Sequence, residues 1–268
     1  MHRLVERLLR NPAIRQATRG ASDWIDLQWS LTVAGLRDVA PQARGRLLDV
    51  GCGTKPYQAI FRPYVEEYIG LEHEATFGAT SAAGMSVGPD VFYDGQRIPF
   101  EDRSFDTVLS IQVLEHTPRP QELVDEMARV LRQDGLLILS APFCFRLHEQ
   151  PHDYFRYSPH GLREICSRAG LEITSVQAQG SLWSVLGNKL NSFLGLQIAG
   201  FDGLAQSLGK LNFEAQHSRP SRPVVWPIVL PTMVWVSAAA RLLDRWLPDP
   251  TEALSYLVLA KHRPGSKP

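Results

Sequence analysis

No excess of charge of either sign marks this sequence: Lys and Arg number 28, Asp and Glu also 28, over 268 residues. Without a global field or a dense basic block with interleaved aromatics, a nucleic-acid partner is not expected. Cysteine is scarce. Cys52, Cys144 and Cys166 stand far apart, with no C-x-x-C and no even set, which leaves no disulfide framework and points to a reducing, cytoplasmic setting. The N-terminal MHRLVERLLRNPAIRQ also lacks an unbroken apolar core, because Arg3, Glu6, Arg7 and Arg10 interrupt it; no export signal is expected. Disorder is excluded by the opposite argument, since 44% hydrophobic residues suffice to bury a full core.

What is present is a change of period. Residues 2 to 10 and 22 to 39 carry apolar residues at helical spacing, among them Leu4, Leu8, Trp24, Leu27 and Leu31, with Ser22 placed to cap the second helix. From residue 46 short apolar runs take over: RLLDV, EYIGL, DTVLSI and GLLILSA. Such runs are expected of strands covered on both faces of a parallel sheet. Between the last two, Leu123, Met127, Val130 and Leu131 share a helical face that an Asp134-Gly135 turn is expected to end. Farther on, Ser158 and Pro159 open a helix that Gly170 stops, and LEITSVQA and SYLVLAK are the last two strands. Alternation of this kind predicts an open α/β sheet with right-handed crossovers, and ligands in such sheets sit at the carboxyl ends of the strands.

Chemistry-bearing residues fall at those ends. In LLDVGCG, Asp49 ends a strand and Gly51 and Gly53 follow in the turn, where the missing Cβ allows a sharp bend and close ligand approach. A glycine pair after a strand also serves simply to turn the chain. Glu72 ends the next strand, where a carboxylate can accept from both hydroxyls of a ribose.

In order, LLDVGCG, the Gly-Leu-Glu strand end, Asp94 ahead of IPF, SFDTVLS, VLEH and RVLRQDGLLILSAP resemble class I S-adenosylmethionine-dependent methyltransferases of the type 11 branch. The resemblance covers about residues 46 to 177 and the final strand. It implies a Rossmann-like, seven-stranded, mostly parallel sheet with helices on both faces, preceded by N-terminal helices (1–40). A core at 41–179, an apolar helical insertion at 180–250 and a last strand and tail at 251–268 complete the expected organisation. It also implies S-adenosylmethionine as cofactor: Asp49 toward the methionine ammonium, Gly51, Cys52 and Gly53 beneath the methionine moiety, Glu72 on the ribose, Asp94 and the Gly95 amide on the adenine edge. Ser110 and Gln112, after the fourth strand, are expected beside the sulfonium, and Asp106 is expected to be structural. One departure stands out. Where the family often has a third glycine this chain has Lys55, followed by Pro56, so the loop is expected to enter its helix early.

His148-Glu149-Gln150-Pro151-His152 fits the letters of the zinc-protease pattern H-E-x-x-H. That pattern requires both imidazoles one turn apart on a helix, and Pro151 would remove an amide donor and clash there at a cost of about 3 kcal/mol or more. Glu172 could supply a distant third ligand, yet the geometry speaks against a metal, and none is expected. The segment is instead expected to form a loop beside the methyl donor. His116, His148 and His152 are candidates for a base that takes the proton of an acceptor hydroxyl, or alternatively for loop-orienting hydrogen bonds. Tyr154, Arg156 and Tyr157 are candidates for holding a carboxylate, phosphate or sugar; alternatively Arg156 fastens the loop through an acid.

Residues 181–245 are richer in apolar side chains than a connection requires. Leu182, Leu186 and Leu190 recur at helical spacing, and PVVWPIVLPTMVWVSAAA carries no charge, although Pro227 and Pro231 argue against a straight helix. A pocket cover or homodimer face, a peripheral membrane contact and a membrane span all remain open. The expected reaction is O-methylation of a small molecule, saccharide or glycolipid. The alternatives are C-methylation of a hydrophobic, quinone-like ring and a nucleoside-binding module without catalysis.

Overall fold

The computed structural model describes Gly20 and residues 22–74, 88–200, 220–249 and 251–263; the helix expected at 2–10 lies outside them, as does 201–219 of the insertion. Seven strands form one sheet: β1 (Arg46–Val50), β2 (Glu67–His73), β3 (Val91–Tyr93), β4 (Phe105–Ile111), β5 (Leu131–Pro142), β6 (Leu171–Gln179) and β7 (Ser255–His262). Their order is β3-β2-β1-β4-β5-β7-β6. The first five pair parallel, and β7 runs antiparallel to both β5 and β6. The mostly parallel α/β sheet expected from the alternating runs is thus present, and β3 is a strand too short for periodicity to reveal.

Alternation along β1 and β4 divides the core. Leu48, Val50 and Val108 pack on one face with Leu123, Val124 and Met127 of α3 (Pro120–Val130) and Leu162, Ile165 and Cys166 of α4 (Pro159–Arg168). Leu47 and Leu109 pack on the other with Leu36 and Val39 of α1 (Leu27–Val39) and Phe61 of the one-turn helix α2 (Gln58–Phe61). With both faces covered, the strand centres are almost fully apolar, which is why they lack a polar alternation.

Three local expectations change. Asp26, not Ser22, caps α1: its Oδ1 accepts from the Trp29 amide at 3.0 Å, and the chain is extended at Asp26. Helix α3 stops at Val130 instead of running to Asp134-Gly135, because Leu131 is already extended and pairs with Phe105. Residues 132–135 then bulge before the ladder resumes at Leu136 and Thr107, and Asp134 forms an ion pair with Arg44. Lastly, Pro231 lies inside a continuous helix, α6 (Trp226–Trp246). Ser158 does cap α4, accepting from the Gly161 amide at 3.1 Å, and Gly170 closes it at φ +75°. Asp106 is structural: it accepts from the Arg46 amide at 2.9 Å and pairs with Arg132 at 2.6 Å.

The insertion forms a helical pair on the sheet's flank, α5 (Leu182–Ser192) and α6, joined to the core through Leu27, Val185, Ala240 and Leu254. Asp244 of α6 holds the start of α5: its carboxylate accepts from the amides of Ser181 (3.3 Å) and Ser184 (3.2 Å) and from both serine hydroxyls. The polar face of α5 turns inward, with Ser184, Asn188 and Asn191 buried, and Leu186 and Leu190 face outward.

Candidate active site

The carboxyl ends of β1, β2 and β4 converge on a loop that begins at Gly51. Gly51 and Gly53 adopt φ +74° and +50°, a region that L side chains avoid. A Cβ on Gly51 would strike Val113 at 2.5 Å, whereas one on Gly53 would project into open space. Gly53 is therefore required by its backbone shape, and the space above it is free for a ligand.

Lys55, at the position of the missing third glycine, itself adopts the left-handed conformation at φ +55°. Its side chain is buried and its Nζ meets Asp90 at 2.5 Å. The methylene next to that nitrogen lies so close to Gly70 that a Cβ there would come within 2.5 Å. The departure from the family pattern is thus absorbed by an ion pair, and Pro56 precedes only the single turn α2.

Two carboxylates flank the loop. Asp49 is buried and accepts from the Tyr68 hydroxyl at 2.5 Å. Burial raises its pKa to about 7, against the pull of that hydrogen bond, with Glu72 adding to the rise. Glu72 accepts from the Gly53 amide at 2.7 Å and from its neighbour His73 at 2.9 Å, and burial raises its pKa as well. Asp94 is exposed and accepts from the Gln96 amide at 2.9 Å, and Gly95 turns at φ +79° beside His73. The Cys52 thiol is buried, and burial raises its pKa strongly.

Ser110 does not follow β4 but lies within it, fully buried, so it is not presented at the strand ends. Gln112 is the residue that leaves the strand. It takes φ +56°, and both its amide (2.9 Å, to the Ser140 carbonyl) and its side chain (3.0 Å, to Ser140 Oγ) are tied to β5.

Beyond β5, residues 143–158 form a loop with no helix at HEQPH, as Pro151 implies. His152 Nδ1 pairs with the Tyr154 hydroxyl at 3.0 Å. The rings of His116 and His148 meet edge to face at 4.7 Å, over Glu115. Glu115 is completely buried and neither carboxylate oxygen has a hydrogen-bond partner; burial raises its pKa to about 8. Burial and the neighbouring His116 lower the pKa of His148 to about 4. In the sequence the one signal for Glu115 is an acid directly before His116, four residues past a strand end.

Arg156 grips Asp153 through two bonds of 2.6 and 2.8 Å and also donates to the carbonyls of Phe145, Arg146 and Phe155. Its fork is committed to fastening the loop, the alternative weighed for it. Tyr157 is buried with its hydroxyl on the Leu114 carbonyl at 3.2 Å, which leaves Tyr154 as the exposed member of that trio.

Beside this loop is a cavity of about 370 Å³ lined by Asp26, Phe145, Arg146, Asn188, Asn191 and Leu230, among others. Asn191 Oδ1 is buried without a partner. Tyr57, stacked on Trp29 at 5.5 Å, lies within the electrostatic reach of both Asp49 and Asp26 and so bridges loop and cavity.

Residues 48–139 match the family model described as a methyltransferase domain. This central segment of the chain is thus similar to a methyltransferase domain. S-adenosylmethionine is the cofactor of that family. Relatives include an uncharacterized methyltransferase of Mycobacterium avium (strain 104), 44% identical over 103 residues that make up 37% of this chain and 40% of the relative. Another, from Mycobacterium leprae (strain TN), is 38% identical over 38% of each chain. The match therefore spans about two fifths of these relatives' length. The structure of an S-adenosylmethionine-dependent methyltransferase from Mesorhizobium loti shares the fold, with a TM-score of 0.50 at 15% identity, over 88% of this chain and 98% of that one. The site fits S-adenosylmethionine in chemical terms: a buried carboxylate at the first strand end, an acid at the second and an open glycine turn suit an ammonium, a diol and a closely approaching chain.

Proposed function

We propose that the protein transfers a methyl group from S-adenosylmethionine to an oxygen of a small-molecule or glycolipid acceptor. The observation that carries this reading is the arrangement of Asp49, Glu72 and the Gly51–Gly53 turn at neighbouring strand ends. In the reading, Asp49 holds the ammonium, Gly51, Cys52 and Gly53 underlie the methionine chain, and Glu72 holds the ribose. Asp94 and the Gly95 amide take the adenine edge, and Gln112 flanks the methyl group. The bound cofactor supplies a sulfonium-activated carbon. The protein's own part is to align the acceptor oxygen with it, because in-line geometry accounts for most of the rate gain in such a displacement. The O–C bond forms as the C–S bond breaks, and the acceptor proton passes to an imidazole, with His116 after β4 and His148 and His152 after β5 the candidates.

The cavity beside the loop supports an acceptor with a polar head: Asp26, Arg146 and Asn191 line it together with Phe145, Leu230 and Met233. The outward leucines of α5 and the exposed Ile228, Trp235 and Trp246 of α6 support an acceptor that resides at a membrane surface. Titration calorimetry with S-adenosylmethionine and its demethylated product tests the cofactor half; micromolar binding corresponds to about 8 kcal/mol. Incubation of labelled cofactor with lipid and saccharide fractions, followed by product analysis, tests the acceptor half. Label on ring carbon would replace O-methylation by C-methylation, and cofactor binding without turnover in any fraction would leave a nucleoside-binding module.

A further inference from the structure

We propose that Glu115, His116 and His148 form a binding site for one divalent transition-metal ion of the zinc class. The three side chains come from separate places, the loop after β4 and the loop after β5, and offer one oxygen and two nitrogens within 4.8 Å of one another. Nε2 of His116 lies 3.8 Å from Glu115 Oε1, and Nε2 of His148 lies 4.0 Å from it. An ion bound at about 2.0–2.1 Å sets tetrahedral donors roughly 3.4 Å apart, so small rotations of two imidazoles close the site.

Three further observations point to a cation. Glu115 is completely enclosed with both oxygens without a hydrogen-bond partner, an arrangement that is unfavourable unless the charge meets a counter-charge or a proton. Both histidines are oriented from behind. His116 Nδ1 lies 2.7 Å from the His152 carbonyl, which only accepts, so Nδ1 carries the proton and Nε2 presents its lone pair. His148 Nδ1 lies 3.2 Å from the Arg146 carbonyl and 3.3 Å from Asp153, again acceptors, and its Nε2 faces Glu115. Backing of ligand imidazoles by carbonyl and carboxylate groups is how metal sites fix the tautomer, and Arg156 fixes Asp153 in turn.

Glu149, at φ +51° in a conformation that side chains rarely take, brings Oε2 to 3.7 Å from His116 Nε2. Its charge also reaches Glu72, which sets the cluster beside the proposed cofactor cradle. Three protein ligands leave a coordination position open. On the methyl-transfer reading, an acceptor hydroxyl takes that position and loses its proton more readily, with His152 the candidate base whose ring is not spent on the ion; ion binding itself does not depend on that reading. This site differs from the one the letters H-E-x-x-H suggest: it uses His148 and not the His152 ring.

The test uses the full chain, stripped with a chelator and titrated with Zn²⁺, Co²⁺ and Mg²⁺ without acceptor or cofactor. The expected result is one equivalent of Zn²⁺, bound at least 100-fold more tightly than Mg²⁺, and visible Co²⁺ bands without the near-ultraviolet band of thiolate ligation. Glu115→Gln and His148→Asn each weaken Zn²⁺ binding 100-fold or more, whereas His152→Ala stays within about threefold. If Glu115→Gln fails to fold, His148→Asn, on the exposed loop, decides. No saturable Zn²⁺ or Co²⁺ uptake, uptake unchanged in His148→Asn, or equal loss in His152→Ala overturns the site. Cofactor calorimetry on the stripped protein reports separately on the methyltransferase reading.

Discussion

Asp49 illustrates how much one residue's burial governs. Its folded-state pKa is raised from 3.8 to about 7, so between those values the folded chain holds a proton that the unfolded chain has released. Stability of the cofactor-free protein therefore falls as pH rises through that window. An ammonium beside the carboxylate favours ionisation, so binding at pH 6 must expel the proton. Affinity for S-adenosylmethionine is expected to rise about fivefold from pH 6 to pH 7 and about tenfold in all by pH 8, where it levels off, with proton release seen as buffer-dependent heat in calorimetry. Asp49→Asn is expected to bind at least tenfold more weakly and to abolish that pH dependence. Arg156 presents the complementary case. Asp153 is buried, and although desolvation alone would raise its pKa, bonds from Arg156 and the His148 amide lower it to about 2. The pair's stabilisation is present above pH 4 and is lost as pH falls toward 2. Arg156→Ala leaves an enclosed carboxylate; with Arg156 itself partly solvated, a loss of about 2–4 kcal/mol is expected in urea unfolding at pH 7. Arg156→Lys should recover only part, because a single ammonium cannot reproduce two parallel bonds.

At the scale of elements, a charge fastens the α5–α6 pair in addition to the apolar contact of Val185 with Ala240. Asp244 caps α5 from a different helix by accepting from two of its unpaired amides, and Asp244→Ala is expected to cost about 1–2 kcal/mol and to raise amide exchange first at 181–185. The buried side of α6, Val229, Met233, Val236, Ser237 and Ala240, packs on the protein, and its other side exposes Trp235 and Trp246 at 71% and 72%. Pro223–Trp246 meets the length and composition of a membrane span, but a helix with one face already packed is better suited to lying in an interface. Vesicle sedimentation of the full chain, reduced at least threefold by Trp235→Ser with Trp246→Ser, is the expected outcome. Sedimentation that is absent with every lipid composition would instead favour a second copy of the chain on this face.

Across the whole molecule, the parts legible in the sequence are those whose signal is local. Strands covered on both faces announce themselves as apolar runs, and Ser158, Pro159 and Gly170 mark helix ends through backbone chemistry alone. Missed features depend on partners distant in sequence. Glu115 is invisible without His148, and the choice between ligand fork and loop fastener for Arg156 stays open until the carbonyls of Phe145 and Arg146 are seen within its reach. The leucines of α5 show only a helical period in the sequence, and it takes the neighbouring α6 to show that Ser184 and Asn188 face inward while Leu186 and Leu190 face outward. These long-range features cluster at the carboxyl edge of the sheet, so a ligand bound there should stabilise the molecule as a unit. At one hundred times its dissociation constant, S-adenosylmethionine adds about 2.7 kcal/mol if it binds only the folded chain. For a domain of this size that corresponds to a rise in Tm of about 5–10 °C. The rise should persist in His152→Ala, whose ring pairs with the Tyr154 hydroxyl, and should shrink to about half or less in Asp49→Asn. Equal rises in all three proteins would mean that the nucleoside binds elsewhere, and the assignment of the β1 and β2 strand ends as the cofactor cradle would fail with it.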